Sequence, residues 1–293
     1  DLHSFPTRRS SDLHIVRLIT QNSRMPSAVK GDVHAQATGV MVGAQELRRV
    51  VEAYGRDTFE AAVERIFDHG EAVVRNWLEK LPDGRYLSHG CLDNDGISDD
   101  PIPFEVVVEI DGSSVRVDLS NAPGHTAGPV NCPLPTTVSA ARVAVAMLAG
   151  SSEGVNEGYF RPLEIVTRRG SLFHAEAPAP CFLYAWPAMQ AMEVIYRAIA
   201  NVYPDAVPAS SGGDISGVMI YGVHPKTGEP WATGTPLPCG QGGHARADGA
   251  TLMHVAESAT RIPPVEVSEA RYPLLFDRME LEPDIYGDRK SVV

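Results

Sequence analysis

Three polar, glycine-rich stretches carry most of the side chains in this chain that could do chemistry. The first is "NSRMPSAVKGDVHAQ", with Asn22, Arg24, Asp32 and His34. The second is "GHTAGPVN", with His125 and Asn131. The third pairs "PASSGGDISG" with "CGQGGHARADGA" and holds Ser210, Asp214, Gln241, His244 and Asp248. Glycine lets a backbone approach a ligand closely and exposes N–H groups to a developing negative charge. A nearby His or Asp can move a proton when its pKa lies near the working pH. His244, Asp248 and Asp214 are therefore the catalytic candidates. Asn22, Arg24, Asp32, His125, Asn131 and Ser210 are the candidates for holding substrate. Ser210, His244 and Asp214 contain the residue types of a hydrolase triad, but spacing alone defines no triad geometry. For any one of these residues a plain structural role, a sharp turn or a hydrogen-bonded histidine, remains the default.

Other chemistries leave no trace. The sequence has no G-x-x-x-x-G-K-[ST] phosphate loop, no H-E-x-x-H and no G-x-S-x-G elbow. "LDNDGISDD" resembles a calcium loop until its register is checked. The position-one ligand, five residues before Gly96, is Cys91, so no metal site is assigned there or elsewhere in the chain. Cys91, Cys132, Cys181 and Cys239 are far apart and form no C-x-x-C, which leaves reduced thiols in a cytoplasmic protein as the expectation. Cys181 sits in the apolar run "APAPCFLYAWPAMQAMEVIYRAI", where an inert thiol is expected and Met189, Met192 and Tyr196 read as core packing.

The elements that must position these loops follow from periodicity. Val40, Ala44, Leu47, Val51 and Tyr54 step by fours and threes, which predicts a helix closed by Gly55. Asp57 and Glu60 make a capping-box-like start for a second helix, whose face of Phe59, Val63, Ile66, Val73 and Trp77 runs to "LPDG". The two read as an antiparallel helical hairpin. Period two then takes over: Phe104, Val106, Val108 and Ile110, an Asp111-Gly112 turn, then Val115, Val117 and Leu119. Asn121 to Pro135 is too rich in Gly and Pro for a regular element. A helix over 136–149, a strand near 163–167, a helix from Pro187 to about Tyr203 and strands at 217–223 and 265–276 complete the reading. The fold class is α+β: a helical hairpin, a β-meander and a mixed sheet with further helices.

With 25 Lys+Arg against 37 Asp+Glu the net charge is −12. That acidity speaks against nucleic acid or an anionic membrane as partner, and no apolar run approaches the ~20 residues of a spanning helix. The two ends are of another kind. Residues 1–13, "DLHSFPTRRSSDL", and 288–293, "DRKSVV", back-translate to one sequencing-library adapter and its reverse complement. The expectation is that both are adapter-derived and that 14–287 is an internal piece of a longer protein.

The chain resembles the hydantoinase B/oxoprolinase family. The resemblance is carried in family order by "NSRMPSAVKGDVHAQ", "GAQELRRVVEAYG", "LPDGRY", "VRVDLSNAPGHTAGPVN", "VNEGYFRPLEIV", "GSLF", "VPASSGG", "GQGGHARADGA" and "PPVEVSEARYPLL". It departs at "LSNAPGHTAG", where the family more often has a Gly-Thr-Ser-like run ending in Gln, so the substrate stays open. The resemblance implies ATP-dependent chemistry on a carbonyl of a small cyclic amide or a ketone. ATP would be bound by an A-type partner subunit or domain. A divalent metal, where the carboxylase relatives have one, would be held upstream of His14. Three readings follow: the B-type component of a cyclic amidohydrolase, a subunit of a ketone carboxylase, or a scaffold that only shapes its partner's site.

Overall fold

The computed structural model describes residues 10–23, 25–150, 154–210, 217–236, 240–245, 247–249 and 263–280. The chain divides into two units, 1–66 and 67–293.

In the first unit, α1 (Ser10–Gln21) packs on α2 (Pro26–Tyr54). The opening run therefore turns helical from Ser10, earlier than its lack of apolar spacing implies. The stretch expected as a first polar loop is also helical. Pro26 lies in the first turn of α2, where its missing N–H is no loss, and the Ala, Val, Lys and Gln that follow outweigh a single Gly31. Gly55, at φ +81°, ends α2 as its sequence position suggests. None of α2's residues is buried, and Val40 is 73% exposed, so the stripe assigned to a hairpin interface is uncovered. α3 (Arg56–Leu78) begins with Arg56 pairing Glu60 at 2.7 Å, which takes Glu60 away from a capping box.

The second unit is built on a four-stranded sheet of order β1-β2-β3-β4. Its strands are β1 (Gly84–Leu92), β2 (Ile102–Asp111), β3 (Ser114–Asp118) and β4 (Leu163–Val166). The first three form an antiparallel meander, in which the β2–β3 hairpin was expected and β1 was not, and β4 joins β3 in parallel, which makes the sheet mixed. Alternation sends Phe104, Val106, Val108, Ile110, Val115 and Val117 into the core. Against them lie α4 (Leu134–Ala149), α5 (Ala185–Ala200) and the last turns of α3, with Val74, Trp77 and Leu78 buried. The register sets Arg85, Glu109, Arg116 and Glu164 side by side across all four strands. They form ion pairs at 3.2, 3.4 and 3.7 Å on the sheet's polar face, a cross-strand ladder of alternating sign.

Beyond α5, β5 (Gly217–Val223) and β6 (Pro230–Pro236) form a separate two-stranded antiparallel ribbon. β6 is hard to see in "PWATGTP", where Pro, Gly and Thr blur the alternation. The strand expected over 265–276 is instead α6 (Val265–Arg271). Pro264 precedes its first turn, and Glu266 near the N-terminus and Arg271 near the C-terminus complement the helix dipole. That local preference overrides the V-E-V alternation.

Candidate functional site

One side of α5 forms the wall of a cleft. Glu193, Tyr196, Arg197 and Ala200 follow one another at helical spacing, and the loop after the helix adds Pro204, Val207, Pro208, Ala209 and Ser210. Gly243, His244 and Ala245 close the cleft from the other side. Its volume, 540 Å³, lies within the range of small-molecule sites.

The two glycine-rich loops of this cleft are pinned backbone to backbone. The Ala209 amide donates to the Gly243 carbonyl at 2.8 Å. A Cβ on Gly242 would stand 1.9 Å from the Ala209 carbonyl oxygen, and one on Gly249 would stand 1.6 Å from that of Gln241. These glycines are there because main chain touches main chain; the approach of a ligand is not needed to explain them. His244 is fixed in turn by a tight exchange with Ala247: its N–H donates at 3.0 Å and its carbonyl accepts at 3.3 Å. The loops thus present Ser210 and a half-buried His244 to the same space.

Glu193 is 5% exposed on a helix otherwise buried through apolar residues. Burial raises the pKa of the Tyr196 phenol, and the nearby Glu193 carboxylate raises it further, so the phenol stays neutral and donates to Met147 Sδ at 3.1 Å. Arg197 Nη1 donates to the His89 carbonyl on β1 at 2.8 Å, which ties the cleft's helix to the edge of the sheet. The set combines a carboxylate, an imidazole, a hydroxyl and apolar walls of Val207 and two prolines. It can orient a small polar ring and move a proton. Among the described residues no group of three or more His, Cys, Asp or Glu is placed to hold a metal ion.

The "GHTAGPVN" loop is elsewhere in this unit and is built as a clamp. Asn131 is fully buried. Its Oδ1 accepts from Thr126 N–H at 2.9 Å, while Nδ2 donates to the carbonyls of Thr126, Gly128 and Pro180 at 3.1, 3.1 and 2.9 Å. Asp95, from the calcium-like stretch, accepts from the backbone N–H groups of Ser98, Ile97 and Gly128. Those bonds hold its carboxyl below the usual range, and the acidic turn is a buried anchor for the loop. A Cβ on Gly128 would meet the Asp95 carbonyl oxygen at 1.8 Å. His125 Nε2 accepts from the Glu176 N–H at 3.2 Å, and Arg169 pairs with the Glu176 carboxylate, lowering its pKa.

Of the residues singled out from sequence, Ser210 and His244 share the cleft. His125, Asn131 and the exposed Asp248 are not among the residues that line this cleft. Asn22 and Asp32 are exposed residues of the first unit, where Asn22 Nδ2 donates to the Leu18 carbonyl at 2.7 Å. Arg24 and Asp214 lie outside the described residues. Met189, Met192 and Tyr196 are buried, as core packing requires. Sequence reasoning passed over Glu193; a lone carboxylate inside "AMQAMEVIY" was the available signal. Burial pushes the Cys132 thiol up to about 12, while Cys91 is exposed and free.

The family model described as hydantoinase B/oxoprolinase matches residues 7–289. A protein of Pseudomonas sp. (strain NS671), provisionally named as the B-type subunit of a D-/L-hydantoinase, is 32% identical over 276 residues, which is 90% of this chain and 46% of that protein. The crystal structure of the ATP-dependent caprolactamase from Pseudomonas jessenii superposes with a TM-score of 0.82 at 24% identity, covering 93% of this chain and 48% of that one. A nucleotide-free acetone carboxylase, described as an enzyme of ATP-dependent acetone carboxylation, superposes at 0.72 and 16% identity over 84% of this chain and 35% of its own. The two structural likenesses are likenesses of fold. The chain spans about half the length of the curated relatives it matches. Among the described residues, no helix is long and apolar enough to cross a membrane.

Proposed function

The chain belongs to the hydantoinase B/oxoprolinase family, and from that premise we propose that it is part of the B-type component of a cytoplasmic, ATP-dependent hydrolase that opens small cyclic amides together with an A-type partner. The observation that carries the reading is the cleft in which Glu193 on α5 faces Ser210 and His244 on two interlocked loops. ATP, held by the partner, would supply the phosphoryl group that activates the ring carbonyl; water attack and C–N cleavage then leave an acyl phosphate, and a second water releases phosphate and the carboxylate. The residues of this chain hold the ring and manage protons. Val207, Pro204 and Pro208 bury its apolar edge. Ser210 and the Glu193 carboxylate orient its amide. The His244 imidazole takes the proton from the attacking water and returns it to the departing nitrogen, a role worth about 10²- to 10⁴-fold in rate. Names among the curated relatives, a B-type hydantoinase component and a caprolactamase beta subunit, support amide rather than ketone chemistry.

The test begins with the native reading frame that contains residues 14–287, co-expressed with the A-type gene beside it. Hydantoins, 5-oxoproline and small lactams are offered with and without ATP. Ring opening that requires ATP and both subunits is the expected result. Bicarbonate-dependent consumption of a ketone, with no cyclic amide opened, replaces this reading with the carboxylase one.

A further inference from the structure

The β5–β6 ribbon is short of partners. Two-stranded antiparallel ribbons are marginal in water, and their stability depends on packing against something else. Here Val218, Met219, Ile220, Tyr221 and Val223 are all exposed, Met219 by 64% and Tyr221 by 79%. Strand alternation puts Met219, Tyr221 and Val223 on one face and Val218 and Ile220 on the other, so neither face of β5 is covered. The register gives no shelter from within the ribbon. Met219 stands opposite Gly234, Tyr221 opposite Ala232, and Ile220 opposite Thr233. Among the described residues the cover lies on β6, where Trp231 packs against Tyr272 with ring centroids 5.7 Å apart. Contiguous apolar exposure of this kind on a soluble protein marks a contact surface.

The length comparison names the occupant. This chain accounts for 46% of the hydantoinase-like relative and 48% of the caprolactamase chain, so a subunit of their length would bring about as much chain again to pack against this half. We infer that β5 is that seam: the part of the same subunit not included in this chain covers the Met219–Tyr221–Val223 face and pairs with a free edge of the ribbon. The inference rests on the proposed reading that the chain is a piece of a longer B-type subunit. The ribbon also directly precedes the loop that carries His244, so the seam would brace the cleft it borders.

Hydrogen exchange on β5 separates the outcomes. In the complete subunit the amides of 218–223 should exchange at least ~10-fold more slowly than in the 293-residue chain. A Met219→Ser/Tyr221→Ser double variant should leave the thermal midpoint of the short chain unchanged and lower that of the complete subunit. Equal exchange in the two proteins overturns the inference while leaving the functional proposal intact. Concentration-dependent protection of β5 in the short chain alone would assign the face to a second copy and also overturn it. A native reading frame no longer than this chain removes the seam and the fragment reading together.

Discussion

Gly242→Ala tests whether the cleft is held by backbone contact between its two loops. The added Cβ would stand 1.9 Å from the Ala209 carbonyl oxygen, against an ordinary C···O approach of about 3.3 Å, so the loops must part by roughly 1.4 Å. Gly242 does not occupy the left-handed region, which makes the contact the whole penalty. Parting by that amount breaks the 2.8 Å hydrogen bond from Ala209 N–H to Gly243 O, a loss of about 1 kcal/mol. Overpacking adds about 1–3 kcal/mol, for a local total of roughly 2–4 kcal/mol. The assay is amide exchange at Ala209, which should quicken about 30-fold or more in the variant if opening is local. Gly39→Ala is the internal control. Nothing lies within 4 Å of a Cβ there, so the same change in α2 should stabilise its helix by about 0.5–1 kcal/mol. Wild-type protection at Ala209 in Gly242→Ala would refute the argument, because two loops that accept the methyl group are not in main-chain contact.

Three further outcomes follow from groups outside the cleft. Asn131→Ala removes four hydrogen bonds from a fully buried site and strands the Thr126 N–H, so urea denaturation should show a loss of about 2–4 kcal/mol. Cys132 should resist alkylation in the folded chain at pH 8 while Cys91 labels, as read by mass spectrometry; burial holds the Cys132 thiol neutral up to about 12. Because its folded pKa is raised, this thiol favours folding fully only below the unfolded value near 8.5, and it lowers stability as pH rises beyond that. Asp95 has the opposite sign. Its folded pKa is depressed by three backbone donors, so its stabilisation is present above the unfolded value near 3.9 and fades as pH falls through the lower folded value. Asp95→Asn should flatten that acid limb in a pH series of thermal midpoints.

The fold was legible wherever one period dominated. The β2–β3 hairpin, β4, α3 and α5 stand close to their expected bounds because Val and Ile alternate in one case and recur every three or four residues in the other. Three signals failed for physical reasons. Proline at Pro26 opened a helix in a run that looked like a loop, Pro264 and paired end charges turned an alternating segment into α6, and "PWATGTP" hid β6 behind small residues. The site was only half legible. Sequence marked Ser210 and His244 by their glycine-rich company, yet the glycines serve loop-to-loop contact. Asn131, a candidate for holding substrate, spends its hydrogen bonds on backbone, as does Asp95 in the acidic turn where no metal site was assigned. Glu193 was concealed in an apolar helix, and pairing across space is information that spacing along a chain does not contain.

The most direct measurement is the steady-state rate of ATP-dependent ring opening by the complete two-subunit enzyme carrying His244→Ala or Glu193→Gln, with assembly checked by sedimentation. The account predicts intact assembly and a kcat at least ~100-fold lower for His244→Ala, with a weaker loss concentrated in KM for Glu193→Gln. Full activity in both variants would contradict it, and the cleft on α5 would then be no part of the chemistry.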